Sequence, residues 1–193
     1  MIKRFALATS ILALVAPLAL AQTSTWISDP AHSEVDFSVK HLSLANVHGR
    51  FGHVSATLTY NEADITKSSV TATIDIGGVE TGESPRNNHL KSDSFFDVAK
   101  FPSATFTSTS VAKDGDMLKV TGNLTLHGVT KQVVLSVEGP ATPVMGMMDK
   151  KLHTGFTATT TIHRLDFAIG NTFPDAIVSD KVMLTIELDL AKQ

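Results

Sequence analysis

Histidine, aspartate, serine and threonine are the residues here whose chemistry could be more than structural, so their spacing is the first question. The eight histidines are His32, His41, His48, His53, His89, His127, His153 and His163. None forms a His-x-His or His-x-x-x-His pair, and the chain has no cysteine to share a metal. His48 and His53 flank Gly49-Arg50-Phe51 and would have to converge through a turn. A zinc site needs ligands gathered tetrahedrally, and this scatter does not supply them. Asp29 with His32-Ser33, and His127 near Thr130, contain the residue types of a hydrolase. A catalytic triad is a matter of geometry rather than of neighbours in sequence. No Gly-x-Ser-x-Gly elbow is present. The expectation is a non-enzymatic protein without a cofactor or metal. A metal-dependent or hydrolytic enzyme using the scattered histidines is the alternative.

Composition narrows the classes further. Lys3 and Arg4 precede an apolar run from Phe5 to Leu20 that ends in Ala19-Leu20-Ala21. A positive start, a short apolar stretch and small residues before Gln22 form the pattern of a cleaved export signal over residues 1–21. The run falls short of the ~20 residues of a spanning helix, so no membrane span is expected in the mature protein, residues 22–193. Export points to the periplasm. Removing Lys3 and Arg4 from the 16 basic residues leaves 14 against 19 acidic ones, a charge of about −5. That balance disfavours nucleic acid as a partner, and it also disfavours electrostatic docking on anionic lipid. Without disulfides, a hydrophobic core has to supply the stability.

The elements follow from alternation. Val35, Phe37 and Val39 alternate with polar neighbours, as do Val54, Ala56, Leu58 and Tyr60, and Val70, Ala72, Ile74 and Ile76. The same period returns at Ala104/Phe106, Leu118/Val120, Leu124/Leu126, Val133/Leu135/Val137, Phe156/Ala158/Ile162 and Val182 to Leu190. Period two with abundant Thr and Val marks strands with one buried and one wet face. Asp114-Gly115-Asp116 and His127-Gly128 read as hairpin turns, and Gly139-Pro140 ends a strand. Pro85 to Phe96 reads as the one helix, with Ser84 as N-cap and Pro85 as first helical residue. About eight antiparallel strands fit either a sandwich or a barrel. Small inward residues at Ala56, Ala72, Ala104 and Ala158 favour a barrel with room inside, though they would also interlock with Phe37, Phe106 and Phe156 in a filled core.

Several segments, in order, resemble the YceI-like family. They begin with Trp26-x-x-Asp29-Pro30-x-His32-Ser33-x-Val35-x-Phe37-x-Val39-Lys40-His41-Leu42 and Gly49-Arg50-Phe51. Thr81-Gly82, Arg86-x-x-His89-Leu90-Lys91, Ser92-x-x-Phe95-Phe96-Asp97 and Phe101-Pro102-x-Ala104-x-Phe106 follow. Gly122-x-Leu124-Thr125-Leu126-His127-Gly128-Val129-Thr130, Arg164-x-Asp166-Phe167 and Val178-Ser179-Asp180-x-Val182 complete the set. Two departures are Asn87, where many relatives carry Asp, and Ala168, where Gly usually follows Asp-Phe.

The resemblance implies an all-β, eight-stranded antiparallel lipocalin-like barrel with a short helix and an apolar interior. It also implies a periplasmic binding or carrier role for a polyisoprenoid, such as an isoprenoid quinone, or a similar long-chain lipid. A homodimer is the assembly it suggests. On that reading Phe37, Phe51, Leu90, Phe95, Phe96, Phe106, Phe156, Ala158 and Phe167 are the expected apolar sleeve. Arg50, Arg86 and His41 are the expected contacts to a polar headgroup. Arg164 and Asp166 are read as an ion pair on one strand face. Met145, Met147 and Met148 form either a lid or a loop tucked on the barrel wall.

Overall fold

Threonine and valine are stiff at χ1 and pack well on a pleated surface, so the alternating runs extend into long strands. The computed structural model describes residues 23–193; the expected export signal lies outside them. In chain order the strands are β1 (Thr23–Ser28), β2 (Glu34–His41), β3 (Ala45–Arg50), β4 (Val54–Asn61), β5 (Ser69–Asp75), β6 (Ser103–Asp114), β7 (Met117–Leu126), β8 (Val129–Glu138), β9 (Val144–Met145), β10 (Leu152–His163) and β11 (Val178–Lys192). Eight of them, β1, β4, β5, β6, β7, β8, β10 and β11, pair antiparallel in a ring, because β11 bonds both β10 and β1. The result is a closed eight-stranded antiparallel barrel, as expected.

One edge of β11 carries two partners in turn. Val178 to Glu187 lie against β2, and Leu190 to Lys192 lie against β1. Where the chain leaves β1 to begin β2, Asp29 N–H donates to the Asp189 carbonyl (2.8 Å). Ser33 Oγ donates to the same carbonyl and accepts from Asp189 N–H, both at 3.1 Å. The Asp-Pro-x-His-Ser segment thus replaces ladder bonds at a break in the wall, where unpaired backbone groups would be costly. The hairpin β2–β3 extends the wall beside β11.

The hairpin turns stand where the sequence puts them. Gly115 (φ 62°), His127 (φ 52°) and Gly128 (φ 75°) take the left-handed backbone that two-residue turns require. The helix differs from expectation. α1 runs Ser84–Lys91, with Glu83 at the N-cap position and Ser92 as C-cap. Ser84 is therefore the first helical residue and not the cap. The helix stops before Phe96 because Ser92 turns extended and Phe95 and Phe96 swing into the barrel end, where both are buried. A second correction concerns Arg164 and Asp166: they lie on a 3₁₀ turn, Arg164–Phe167, and not on a strand. Arg164 is buried while Asp166 faces solvent, so they do not pair.

A candidate ligand cavity along the barrel axis

The inward faces of the ring are mainly apolar, and the interior is not filled. A cavity of about 150 Å³ occupies the half of the barrel away from α1, and a second of about 100 Å³ lies on the α1 side. Val35, Ile74, Leu124 and Leu184 line both, forming a waist between them. Phe106, Phe156 and Ala158 stand on the wall of the larger chamber. Phe37, Phe51, Leu90, Phe95 and Phe96 stand on the wall of the smaller one. Phe37 meets Phe51 at 5.1 Å between ring centroids, and Phe51 meets Phe96 edge-on at 5.6 Å. Phe167 lines neither chamber; it is 2% exposed in the capping layer outside the smaller one.

The two ends are unlike. On the α1 side Ile76, Val79, Phe167 and Ile169 are fully buried under the helix and the segment that follows it. Phe95 stacks on Phe173 at 4.8 Å, and His89 packs edge-on against both rings. In the larger chamber the inward Val70, Ala72, Val111, Val133, Leu135, Phe156, Ile186 and Leu188 remain only half-buried. Inward-facing aliphatics that keep contact with open space mark a hollow, since a close-packed interior would cover them. Tyr60, Ser68 and Ser69 are the polar residues at this mouth, with Thr160 on the wall.

Two packing details hold the interior open. Gly122 sits on the inner face of β7, and the Phe106 ring lies where a Cβ would project, so only glycine lets that ring lie flat on the wall. Across the barrel, Gly49 does the same for the Phe37 ring.

Among the described residues, Arg164 is the charged one that lines the hollow. Its guanidinium donates to five backbone carbonyls, those of Ser179, Ile169, Gly170, Phe173 and Val178, at 2.6 to 3.2 Å. All five of its N–H groups are thereby used. Burial pulls its pKa below the usual arginine value, while Asp180 and Asp175 oppose this. Arg50, Arg86 and His41 line neither chamber. Arg50 bonds Glu80 through the backbone at the end of β3. Arg86 donates to the hydroxyl and carbonyl of Thr81, and His41 is exposed at the end of β2.

The histidines do not converge. Among the described residues no group of three His, Asp or Glu could hold a metal ion. His32 bonds Asp29 (2.9 Å), but Ser33 is turned to the Asp189 backbone. His127 donates to the Phe167 carbonyl, and Thr130 bonds Thr125. Neither candidate triad is assembled.

The YceI-like domain family matches residues 26–190. The chain belongs to the YceI-like family. The YceI protein of Salmonella newport is 39% identical over 159 residues, 81% of each chain. Among solved structures, Campylobacter jejuni YCEI aligns with a TM-score of 0.70 at 35% identity, over 80% of this chain and 90% of that one. BcnA of Burkholderia cenocepacia aligns at 0.73 and 26% identity, over 84% and 98%. A polyisoprenoid-binding domain from Saccharophagus degradans shares the fold at 0.62 and 19% identity, over 89% and 100%.

The two departures from the YceI-like pattern have local meanings. Asn87 is buried and staples α1 to the preceding loop: its Nδ2 donates to Glu80 Oε1 (2.7 Å), and its Oδ1 accepts from Thr81 N–H (2.9 Å) and Oγ (2.7 Å). It lies on the capped side and not at the open mouth. Ala168 adopts φ 57°, ψ 29°, a left-handed conformation that glycine takes without cost. The mouth residues Tyr60, Ile65, Ser68 and Ser69 escaped sequence reasoning, because nothing local distinguishes them from an ordinary strand end and loop.

Proposed function

We propose that this protein is a periplasmic carrier that holds one long apolar chain, a polyisoprenoid such as an isoprenoid quinone or a comparable lipid, along the barrel axis. The observation that carries the reading is the pair of chambers walled by aliphatic and aromatic side chains, one above the other, with Val35, Ile74, Leu124 and Leu184 between them. Apolar cavities of ~150 Å³ stay dry and accept apolar guests. Each five-carbon isoprene unit buried contributes up to ~4 kcal/mol at ~0.8 per CH₂, before ordering costs. A few units reach micromolar affinity, near −8 kcal/mol, without a strong polar contact.

The ligand's direction follows from where polar groups are available. Arg164, the charged residue in the lining of the smaller chamber, has no free N–H to offer a headgroup. The hydroxyls of Tyr60, Ser68 and Ser69 at the open mouth are available to one. The tail therefore points toward α1 and the polar end toward solvent. The polyisoprenoid named for the Saccharophagus degradans domain is consistent with this cargo class. Export with cleavage before Gln22 supplies the compartment. Protein purified from the periplasm, denatured and extracted with organic solvent, is expected to yield a long-chain lipid near one per chain by mass spectrometry. Its intact mass is expected to start at Gln22. Extracts without lipid, from protein that also fails to bind added farnesol, overturn the reading.

A further inference from the structure

Between β8 and β10 the chain makes a small hairpin at the same end of the barrel as the open mouth. β9 takes up the edge of β10 beyond the point where β8 stops: Met145 pairs with Leu152 and Val144 with His153. The hairpin's apolar residues are not folded onto the barrel. Met147 is 86% exposed and Met148 98%, with Val144 at 63% and Met145 at 59%. Lys150 and Lys151 stand beside them, also exposed; among the described residues neither has a carboxylate partner, though Lys151 Nζ donates to Gln193 Oε1 (3.0 Å). The one acid of the tip, Asp149, is engaged by His153.

The finger is held at its base. Gly146 N–H donates to the Lys151 carbonyl (2.8 Å), closing the hairpin. His153 bridges Asp149 (2.9 Å) and Asp189 of β11 (2.6 Å). Thr154 Oγ donates to the Ala141 carbonyl at 2.7 Å. Exposed, contiguous apolar side chains on an anchored support mark an interaction surface. Methionine adapts to irregular apolar surroundings, and lysines set next to apolar residues suit an interface whose outer layer is anionic.

We propose that the Val144–Leu152 hairpin is a membrane-docking finger that inserts Met147 and Met148 among the acyl chains of an anionic lipid surface while Lys150 and Lys151 meet the headgroups. The occupant is a lipid surface because the finger adjoins the mouth, and a lipid cargo must cross between that mouth and a bilayer. The inference rests on the carrier reading in this respect only. The net negative charge of the chain speaks against docking as a whole body, but the tip presents its own local positive charge. Charge interactions are screened beyond about 10 Å at moderate salt, so acids on the far side of the barrel count for little at the tip, while Asp116 and Glu138 lie in the cleft behind Val144 and His153.

Vesicle flotation tests it, using phosphatidylethanolamine vesicles with about one quarter phosphatidylglycerol. Protein purified from the periplasm is compared with Met147→Ser/Met148→Ser and with Lys150→Ala/Lys151→Ala. The wild type is expected to float with the vesicles. The methionine variant is expected to lose about tenfold in vesicle affinity, and the lysine variant to lose affinity for these vesicles but not for neutral phosphatidylcholine ones. Farnesol binding is expected to stay unchanged in both. A wild type that does not float, or a methionine variant that floats equally, overturns the proposal. So does a wild type that is dimeric in gel filtration while the methionine variant is monomeric and floats no less; the finger is then a contact between copies. Loss of farnesol binding by the wild type with flotation intact overturns the carrier reading and leaves the finger standing.

Discussion

Ala168 follows the 3₁₀ turn at φ 57°, ψ 29°, with its N–H donating back to Leu165. A left-handed alanine costs roughly 1–2 kcal/mol, part of which glycine gives back through its freer unfolded chain. Ala168 is exposed, so no packing is lost. Ala168→Gly is expected to raise stability by up to about 1 kcal/mol in denaturant unfolding; a fall in the midpoint would show that the turn is not strained. At His153 both ring nitrogens face carboxylate oxygens, an arrangement that favours the doubly protonated imidazolium. Asp189, and then Asp149, hold its pKa above the ordinary histidine value. The bond from His153 in turn holds Asp149 below the usual carboxylate range. A raised histidine contributes stability that is complete below its unfolded pKa and is lost as pH rises through the folded one. The lowered Asp149 sets the other edge, where stability is lost as pH falls through its folded pKa. Amide protection over 144–151, taken relative to the intrinsic exchange rate at each pH, is thus expected to be greatest between these limits and to fall on the alkaline side as His153 deprotonates. His153→Gln is expected to remove that alkaline step, as followed by NMR titration and hydrogen exchange.

At the scale of elements, α1 shows how a short helix can cap a barrel without an amphipathic stripe of its own. Its one buried residue is Asn87, and its hold on the barrel comes from that side chain and from Leu90, Phe95 and Phe96 at and beyond its end. Glu80 is held below the usual carboxylate range by the Asn87 bond first and the Gly82 N–H next. Asn87→Asp places a second carboxylate against Glu80 and removes a donor. The variant is expected to melt several degrees lower near neutral pH, with the deficit shrinking below about pH 4 as one carboxylate takes a proton. A deficit independent of pH would point to lost packing instead. β2, β4 to β8, β10 and β11 were legible because burial on one face writes itself as period two; β3 and β9 were not, since neither has a buried residue to mark a face. β1 was not, since its inward residues include Ser24 and Ser28 beside Trp26, and the polar pair erases the alternation. Arg164 was misread for a related reason. Its role is set by five carbonyls that only the fold brings together, and spacing to Asp166 carries no trace of them. The aromatic wall was legible as composition, but its division into two chambers depends on where β5, β7, β2 and β11 meet.

For the molecule as a whole, the decisive property is whether the hollow belongs to the native state as working space or is merely a loosely packed core. Ala158 stands on the wall of the larger chamber, 6% exposed, paired with Val137 on one side and Ile186 on the other. In a filled interior the indole of Ala158→Trp would have to displace neighbours, and overpacking costs about 1–3 kcal/mol. In this barrel the ring has the space beside Phe106 and Phe156 to enter, and it covers aliphatic surface that is now only half-buried. Delipidated Ala158→Trp is therefore expected to melt at or above the wild-type temperature while its affinity for farnesol falls by an order of magnitude or more. Early melting would mean that the chamber collapses or is already filled in solution. Normal melting with full farnesol affinity would place the chain elsewhere than along the β10 wall. The two readouts move in opposite directions only if the same volume that weakens packing is the volume that holds the ligand.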